Sequence, residues 1–391
     1  MPADRQFGDE TESTALSLPE ELTRQFYEWE RRGRGWQLWD VPVELEPPFR
    51  PCYYRLPSPE TNADAGRRQT WLSRLVKLFV SDGNRGREEN DGEDDASLLL
   101  EPEPELDLHD EPIAEFEVLP PPDTAIDKTA AERLILNLSY CGAPIAYEVV
   151  GTSDGIRAQY ACRESDSDQV QQQLQAHVPD AMVGRRGQAL KDQWRSRNAS
   201  VVVDFGLSQE FIRPLRTSRN FAPDPLIGVV ASLSQLRQSE VGVLQVLFQP
   251  TRAAWAQSVF HAVTDSEGGS FFVDAPEMVS LAREKISLPL YAVVVRVAAR
   301  SASHARSMEI ARGIGAALAQ FALPGSNEFI PLTNEDYPDG LHESDLLFRQ
   351  SRRSGMILNS DELVSIAHPP SESVRVPKLR QIGRASCRER V

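Results

Sequence analysis

The chain has 391 residues, of which 40% are apolar and 26% charged, a globular composition and a length of two or three domains. Its formal charge is −16, from 42 Lys and Arg against 58 Asp and Glu, and residues 88–117 alone hold 14 acidic residues and no basic one. The longest nearly apolar run, residues 288–299, is too short for the ~18 residues of a membrane span and carries Arg296. We therefore expect no membrane-spanning segment. Most of the excess negative charge lies in an acidic insert, and the rest of the chain is nearly neutral.

The cysteines give no framework for disulfides or zinc. Cys52, Cys141, Cys162 and Cys387 lie far apart and form no C-x-x-C pair. Residues 1–12 are acidic and polar, which is unlike a secretory signal. We therefore predict free thiols, no metal site and a cytoplasmic location.

The first part of the chain is predicted to be an aromatic-rich block. Residues 1–17 are polar and expected to be disordered. Apolar residues at helical spacing predict a helix over 18–32, a strand-like alternation follows at 36–43, and a short amphipathic helix is predicted at 69–80. Residues 18–80 are thus a helical and extended block that packs onto another part of the protein.

Residues 81–126 are predicted to be an acidic, Pro-rich, disordered linker. Ile113, Phe116 and Val118 leave open that its last part docks as a short strand or helix. The acidic run is interpreted as a solvated spacer, with a DNA mimic or an autoinhibitory clamp as the functional alternative.

From about residue 128 the pattern predicts an α+β fold of open sheets. Strands are predicted at 134–140, 144–150, 156–161, 201–205, 242–249, 290–297 and 328–332, and helices at 165–177, 225–237, 252–263, 277–286 and 302–321. The order suggests two α/β units, 127–222 and 223–335, the second of ferredoxin-like (split βαβ) type. Gly151 to Gly155 match the G-x-S-x-G string of hydrolases, but the strand that follows predicts a hairpin turn.

Residues 336–381 are predicted to be a connector with a short helix from 342, a strand at 356–359 and a second helix. Asn359 followed by Glu362 predicts a capping box at the start of that helix. A magnesium site for phosphodiester chemistry is the functional alternative to an ordinary turn for Asp336, Asp339, His342, Glu343 and Asp345.

Two basic groups are candidates for phosphate contact. The first is a stripe with possible nucleic-acid contact, in which an aromatic side chain could stack on a base: Arg185, Arg186, Lys191, Trp194, Arg195 and Arg197. The second comprises Arg349, Arg352 and Arg353, which could reach a neighbouring domain or the phosphates of a neighbouring subunit.

The last ten residues, 382–391, match the translation of a common sequencing adapter. We expect the natural sequence to be interrupted near residue 381.

Four blocks of sequence carry a resemblance to a known family. They lie at residues 26–51, 246–255, 290–297 and 357–378, and include Ile357-Leu-Asn-Ser-Asp-Glu and His368-Pro-Pro. In this order they resemble the N-terminal region of HerA/FtsK-like bacterial ATPases related to type IV secretion and conjugative DNA transfer.

The resemblance implies a non-catalytic accessory or assembly region of a DNA-translocating ATPase. It also implies a ring-forming homo-oligomer, with DNA and secretion or defence proteins as partners, and ATP and Mg²⁺ as cofactors of the full-length protein. The chain has no Gly-Lys dipeptide and hence no Walker A motif, so no catalytic, cofactor-binding or metal residue is assigned. The alternatives are a stand-alone protein-binding adaptor and a metal-dependent nuclease.

Overall fold

The computed structural model describes residues 17–52, 54, 111–121, 126–194, 199–221, 223–265, 267–338, 340–371 and 373–382. Contacts between Cα atoms divide the chain into two units, residues 1–25 with 53–102, and residues 26–52 with 103–391. The second unit holds almost all of the described residues and is the subject below. The helix predicted at 69–80, the acidic run before residue 111 and the tail from 383 onward lie outside the described ranges.

The described strands are β1 (Leu38–Val43), β2 (Ile113–Leu119), β3 (Ile145–Thr152), β4 (Ile156–Arg163), β5 (Met182–Arg186), β6 (Ala199–Leu207), β7 (Val241–Pro250), β8 (Leu290–Ser301), β9 (Phe329–Pro331), β10 (Ser351–Arg353) and β11 (Met356–Asn359). The described α-helices are α1 (Leu18–Glu30), α2 (Lys128–Leu138), α3 (Ser167–His177), α4 (Ala189–Trp194), α5 (Ile227–Leu233), α6 (Trp255–Val263), α7 (Met278–Ile286), α8 (His304–Ala316), α9 (Leu341–Phe348) and α10 (Ser360–Ile366). None of the helices within these ranges combines the length and apolar character that crossing a bilayer requires.

One nine-stranded sheet organises the unit, which confirms the α+β class. Its strand order is β5-β2-β4-β3-β7-β8-β6-β9, and β11 pairs with β8. Every pair in it is antiparallel. Strands β1 and β10 form a separate antiparallel pair.

The predicted boundary between residues 222 and 223 does not separate two sheets. Strand β3, from the first predicted unit, pairs with β7, from the second, from Ile145↔Phe248 to Thr152↔Val241. Strand β8 likewise pairs with β6 of the first unit. Because β7 and β8 are buried along nearly their whole length, they need neighbours on both edges, and those neighbours come from the earlier segment. The ferredoxin-like arrangement is accordingly not confirmed.

The end of the predicted acidic linker is a strand inside the sheet. Strand β2 lies between β5 and β4, and Phe116 is fully buried. Its charged residues, Glu115 and Glu117, are buried as well, because arginines from other segments neutralise them. Linker was therefore the wrong interpretation for residues 113–119.

The N-terminal block and the predicted connector also form strands of this unit. Strand β1 from the N-terminal block pairs with β10, and β11 pairs with β8, so the predicted connector is part of the fold. All residues of α10 except Asp361 are buried.

Helices cover the two faces of the sheet. On one face α5 approaches so closely that a Cβ added at Gly242 would lie 2.7 Å from the Leu233 side chain. The opposite face carries a core cluster that α4 and α9 complete, formed by Val150, Leu190, Trp194, Val202, Val241, Val243, Ala298 and Leu346.

Two predictions made from local sequence are confirmed, and a third is wrong. The capping box is present, with the Asn359 side chain accepting from the Glu362 backbone N–H and the Glu362 carboxylate accepting from the Asn359 N–H. The predicted hairpin turn joins β3 to β4, with the Thr152 N–H donating to the Gly155 carbonyl. The strand predicted at 134–140 is wrong, since helix α2 covers residues 128–138 and begins at the capping side chain of Asp127.

Candidate functional site

A row of buried polar side chains crosses six neighbouring strands of the sheet. Strands β2, β4, β3, β7, β8 and β6 lie side by side in this order, and each contributes one residue directly opposite that of the next strand. In the same order these residues are Glu117, Gln159, Glu148, Gln245, Arg296 and Asp204. Every member is at most 1% exposed. We call this set the polar row.

Direct hydrogen bonds join five members of the polar row. Glu148 accepts from the side-chain amides of Gln159 at 2.6 Å and Gln245 at 2.7 Å. Arg296 donates to the Gln245 oxygen at 3.1 Å and to an Asp204 oxygen at 2.8 Å. Burying a polar group costs free energy unless the group is hydrogen-bonded. Each of these five residues is therefore stabilised by a polar residue on the neighbouring strand.

Arg349 neutralises the carboxylates in the middle of the sheet. Its Nε lies 2.9 Å from Glu148 and its Nη2 lies 2.5 Å from Glu115. Burial would raise the pKa of Glu148, but the charge and hydrogen bonds of Arg349 outweigh it and hold that pKa below its usual value. Arg349 follows helix α9 with a φ of 52°, a left-handed conformation that costs a non-glycine residue free energy.

Asp204 ends the polar row beside arginine and histidine side chains. Its Oδ2 lies 3.1 Å from His342 Nε2 and 3.3 Å from Arg353 Nε. Burial would raise the pKa of Asp204, but Arg296 and His342 hold it far below its ordinary value. The ring of Tyr337 stacks on His342 at 3.9 Å.

Two carboxylates of the predicted magnesium site, Glu343 and Asp345, have separate structural partners. Glu343 accepts from the Trp194 indole at 2.6 Å, and Asp345 accepts from the Tyr337 hydroxyl at 2.5 Å. His342 is bound to Asp204, and Asp339 lies outside the described residues. No group of three or more His, Cys, Asp or Glu in the described part of the chain is placed to hold a metal.

The two described arginines of the predicted basic stripe form ion pairs within the chain, although their side chains are about half exposed. Arg185 pairs with Glu164, and Arg186 pairs with Glu117. Trp194 is 1% exposed, so the prediction that it stacks on a base is wrong: helix α4 packs it into the core cluster. The members outside the described residues are Arg195 and Arg197; the ammonium of the remaining one, Lys191, lies 5.5 Å from the Phe348 ring.

The side chains of the second basic group are nearly buried. The side chains of Arg349, Arg352 and Arg353 are 3%, 10% and 7% exposed. Arg352 lies 3.3 Å from Asp345, and Arg353 lies 3.3 Å from Asp204. They serve the interior of the unit rather than a neighbouring subunit.

Sequence reasoning missed the polar row. Its signal is a polar residue in the middle of an apolar run, as Gln245 in β7 and Arg296 in β8. Such residues look like isolated interruptions until the register of the strands places them opposite one another.

Comparison with known proteins gives limited matches. A family described as a domain of unknown function (DUF8128) matches residues 129–268. No curated protein matches the chain. Solved structures with some similarity include a xylooligosaccharide oxidase from Myceliophthora thermophila C1 in complex with xylobiose, at 12% identity and a TM-score of 0.28 over 69% of this chain and 55% of that one.

A chitooligosaccharide oxidase matches at 11% identity and a TM-score of 0.28, again over 69% and 55% of the two chains. A variant of berberine bridge enzyme in complex with (S)-reticuline matches at 10% identity and a TM-score of 0.26, over 55% of this chain and 41% of that one. The chain spans about half of the length of these structures. Similarities of this size carry no argument about activity.

Proposed function

We propose that the chain is a non-catalytic assembly region of a DNA-translocating ATPase of the HerA/FtsK class. In this proposal it packs subunits into a ring, while other parts of the protein bind ATP and Mg²⁺. The observation that supports the proposal is the position of the four sequence blocks that resemble this family, because all four meet in one packed substructure.

Three of the blocks lie on strands that touch. Residues 246–250 belong to β7, residues 290–297 belong to β8, and residues 357–359 belong to β11. Strand β8 pairs with the other two, through Phe248↔Val293 on one side and Leu358↔Tyr291 on the other. The blocks therefore meet edge to edge although long stretches of sequence separate them.

The first block packs onto the same substructure. The rings of Trp29 and Trp255 lie 6.4 Å apart, which joins the first block to the second. The Gly355 N–H donates to the Leu45 carbonyl at 2.6 Å, next to the start of the fourth block. The blocks of one family core are expected to converge in this way.

The genomic sequence beyond codon 381 tests the family assignment. We expect an open frame that reaches G-x-x-x-x-G-K-[ST] within roughly a hundred residues, since that loop binds the nucleotide phosphates. A genuine stop codon at that position contradicts the assignment and favours the stand-alone adaptor.

The assembly role has its own test in the protein encoded by that frame. Mass photometry should show a ring for the whole protein and monomers after removal of residues 26–382. Binding of a fluorescent ATP analogue should survive the removal. A ring that persists without these residues refutes the assembly role even if the family assignment holds.

A further inference from the structure

A small polar pocket lies at one end of the sheet, beside the polar row. Arg163 at the end of β4 and Gln249 near the end of β7 form part of its wall, and residues 43–45, 142–144 and 349–351 complete most of the rest. Its volume is about 150 Å³. All of its lining residues belong to the second unit of the chain.

Arg163 brings a positive charge into this pocket without a close ion pair to any described residue. Its only hydrogen bond to a described residue runs from Nη1 to the Glu111 carbonyl at 3.2 Å. Among the described residues no carboxylate lies within 4 Å of its guanidinium. Burial, aided by the charge of Arg349, lowers the pKa of Arg163, although the negative charge of Glu111 acts in the opposite direction. A partly desolvated cation with unused N–H donors gains free energy when an anion binds beside it.

Two further donors line the same space. The Gln249 oxygen accepts from the Leu45 N–H at 3.4 Å, and its amide nitrogen has no partner in the described part of the chain, although the residue is only 8% exposed. Arg252 lies at the exposed rim, and its nearest carboxylate in the described ranges is Glu44 at 3.8 Å.

Glu111 and Arg349, which also line the pocket, already have partners within the protein. Glu111 accepts from the Ser165 N–H at 2.5 Å, which stabilises its negative charge locally. Glu115 and Glu148 balance Arg349. Among the arginines that line the pocket, Arg163 is therefore the one without a described carboxylate within 4 Å, and Arg252 forms a loose pair at the rim.

We propose that this pocket binds an oxyanion of the size of phosphate, with Arg163 as the main ligand and Gln249 and Arg252 as additional donors. A guanidinium group presents parallel N–H donors that match two oxygens of a phosphate or a carboxylate. The volume of about 150 Å³ is sufficient for a free ion or for the terminal group of a small molecule.

Isothermal titration calorimetry of the whole chain with inorganic phosphate tests this site, with sodium chloride at equal ionic strength as the blank. We expect saturable binding at or below about 10 mM phosphate. Parallel titrations with AMP, phosphoserine and acetate identify whether a free ion, a phosphate ester or a carboxylate is the preferred source. Heat changes no larger than those of chloride overturn the proposal.

Charge variants locate the site. Arg163→Gln should weaken phosphate binding roughly tenfold or more, which corresponds to the loss of a charge-assisted hydrogen bond. Arg252→Gln, at the exposed rim where folding is not at stake, should weaken it several-fold. The matched control is Arg375→Gln, an exposed residue outside the pocket, which should leave binding unchanged. Equal loss in Arg252→Gln and Arg375→Gln, or none in either, refutes the site even if Arg163→Gln does not fold.

Discussion

Arg349 shows how much a single buried side chain contributes to this fold. It is 4% exposed and bonded to two carboxylates that belong to different strands. Replacing it with methionine would leave Glu115 and Glu148 buried without a counter-charge. We expect Arg349→Met to lower the free energy of unfolding by about 3–5 kcal/mol in urea denaturation.

A matched variant checks that this cost comes from burial. Arg185 also forms an ion pair, with Glu164, but the two side chains are 48% and 40% exposed. Arg185→Met should therefore cost less than about 1 kcal/mol. Adding Glu148→Gln to Arg349→Met should recover part of the lost stability, because it removes one of the two unpaired charges. Similar costs for the Arg185 and Arg349 variants would show that the network is unimportant.

Asp204 makes stability depend on pH. Arg296 and His342 hold its pKa far below the ~3.9 of an unfolded aspartate, so the unfolded chain binds the proton first as the solution becomes acidic. The contribution of Asp204 is complete above about pH 5 and is lost as pH falls toward its folded-state pKa. We expect Asp204→Asn to lower stability at pH 7 and to flatten the acid limb of the stability curve.

Urea denaturation from pH 7 down to pH 3 measures this effect. Asp274→Asn is the control, because Asp274 is exposed and lies away from the polar row. Parallel acid limbs for the wild type and Asp204→Asn would contradict the assigned role of Asp204.

At the scale of elements, the sequence predicted those features that depend on residues close together in the chain. The capping box of α10 and the turn at Gly155 depend on side chains a few residues apart, and both were found. Helix α2 was misassigned because the apolar run from Leu134 to Leu138 suits either element, although Ala131, Leu134, Ile135 and Leu138 do follow the helical period.

For strand β2, a strand was only the alternative to a solvated linker. Its alternation of Ala114, Phe116 and Val118 with Glu115 and Glu117 is that of a strand, yet two acidic residues at its centre indicated exposure to solvent. The arginines that neutralise them, Arg186 and Arg349, lie about 70 and 230 residues later in the chain. No local pattern contains that information.

Hydrogen exchange distinguishes a central strand from a linker at residues 113–119. Because β2 pairs with β4 on one side and β5 on the other, its amides should exchange as slowly as those of β3. Mass spectrometry of peptides from the native protein reads this directly, with the exposed turn at 153–154 as the fast reference. Exchange of residues 113–119 at the rate of that turn would restore the linker interpretation.

At the scale of the molecule, the polar row ties together segments that sequence had divided. Glu148 and Gln159 come from the first predicted unit, Gln245 and Arg296 from the second, and Asp204 from the first again. Neither segment can satisfy its own buried charges.

Residues 223–335 should consequently fail to fold alone. In that fragment β7 loses β3, β8 loses β6, and β9 loses β6, its partner in the sheet. Arg296 would also lose Asp204, which leaves a fully buried cation without its carboxylate. We expect an unfolded or aggregated fragment with poorly dispersed amide resonances, whereas the same residues in the whole chain should give well-dispersed ones. A fragment 223–335 that unfolds cooperatively by itself would mean that the segment is a domain after all, and that the polar row joins two finished folds instead of building one.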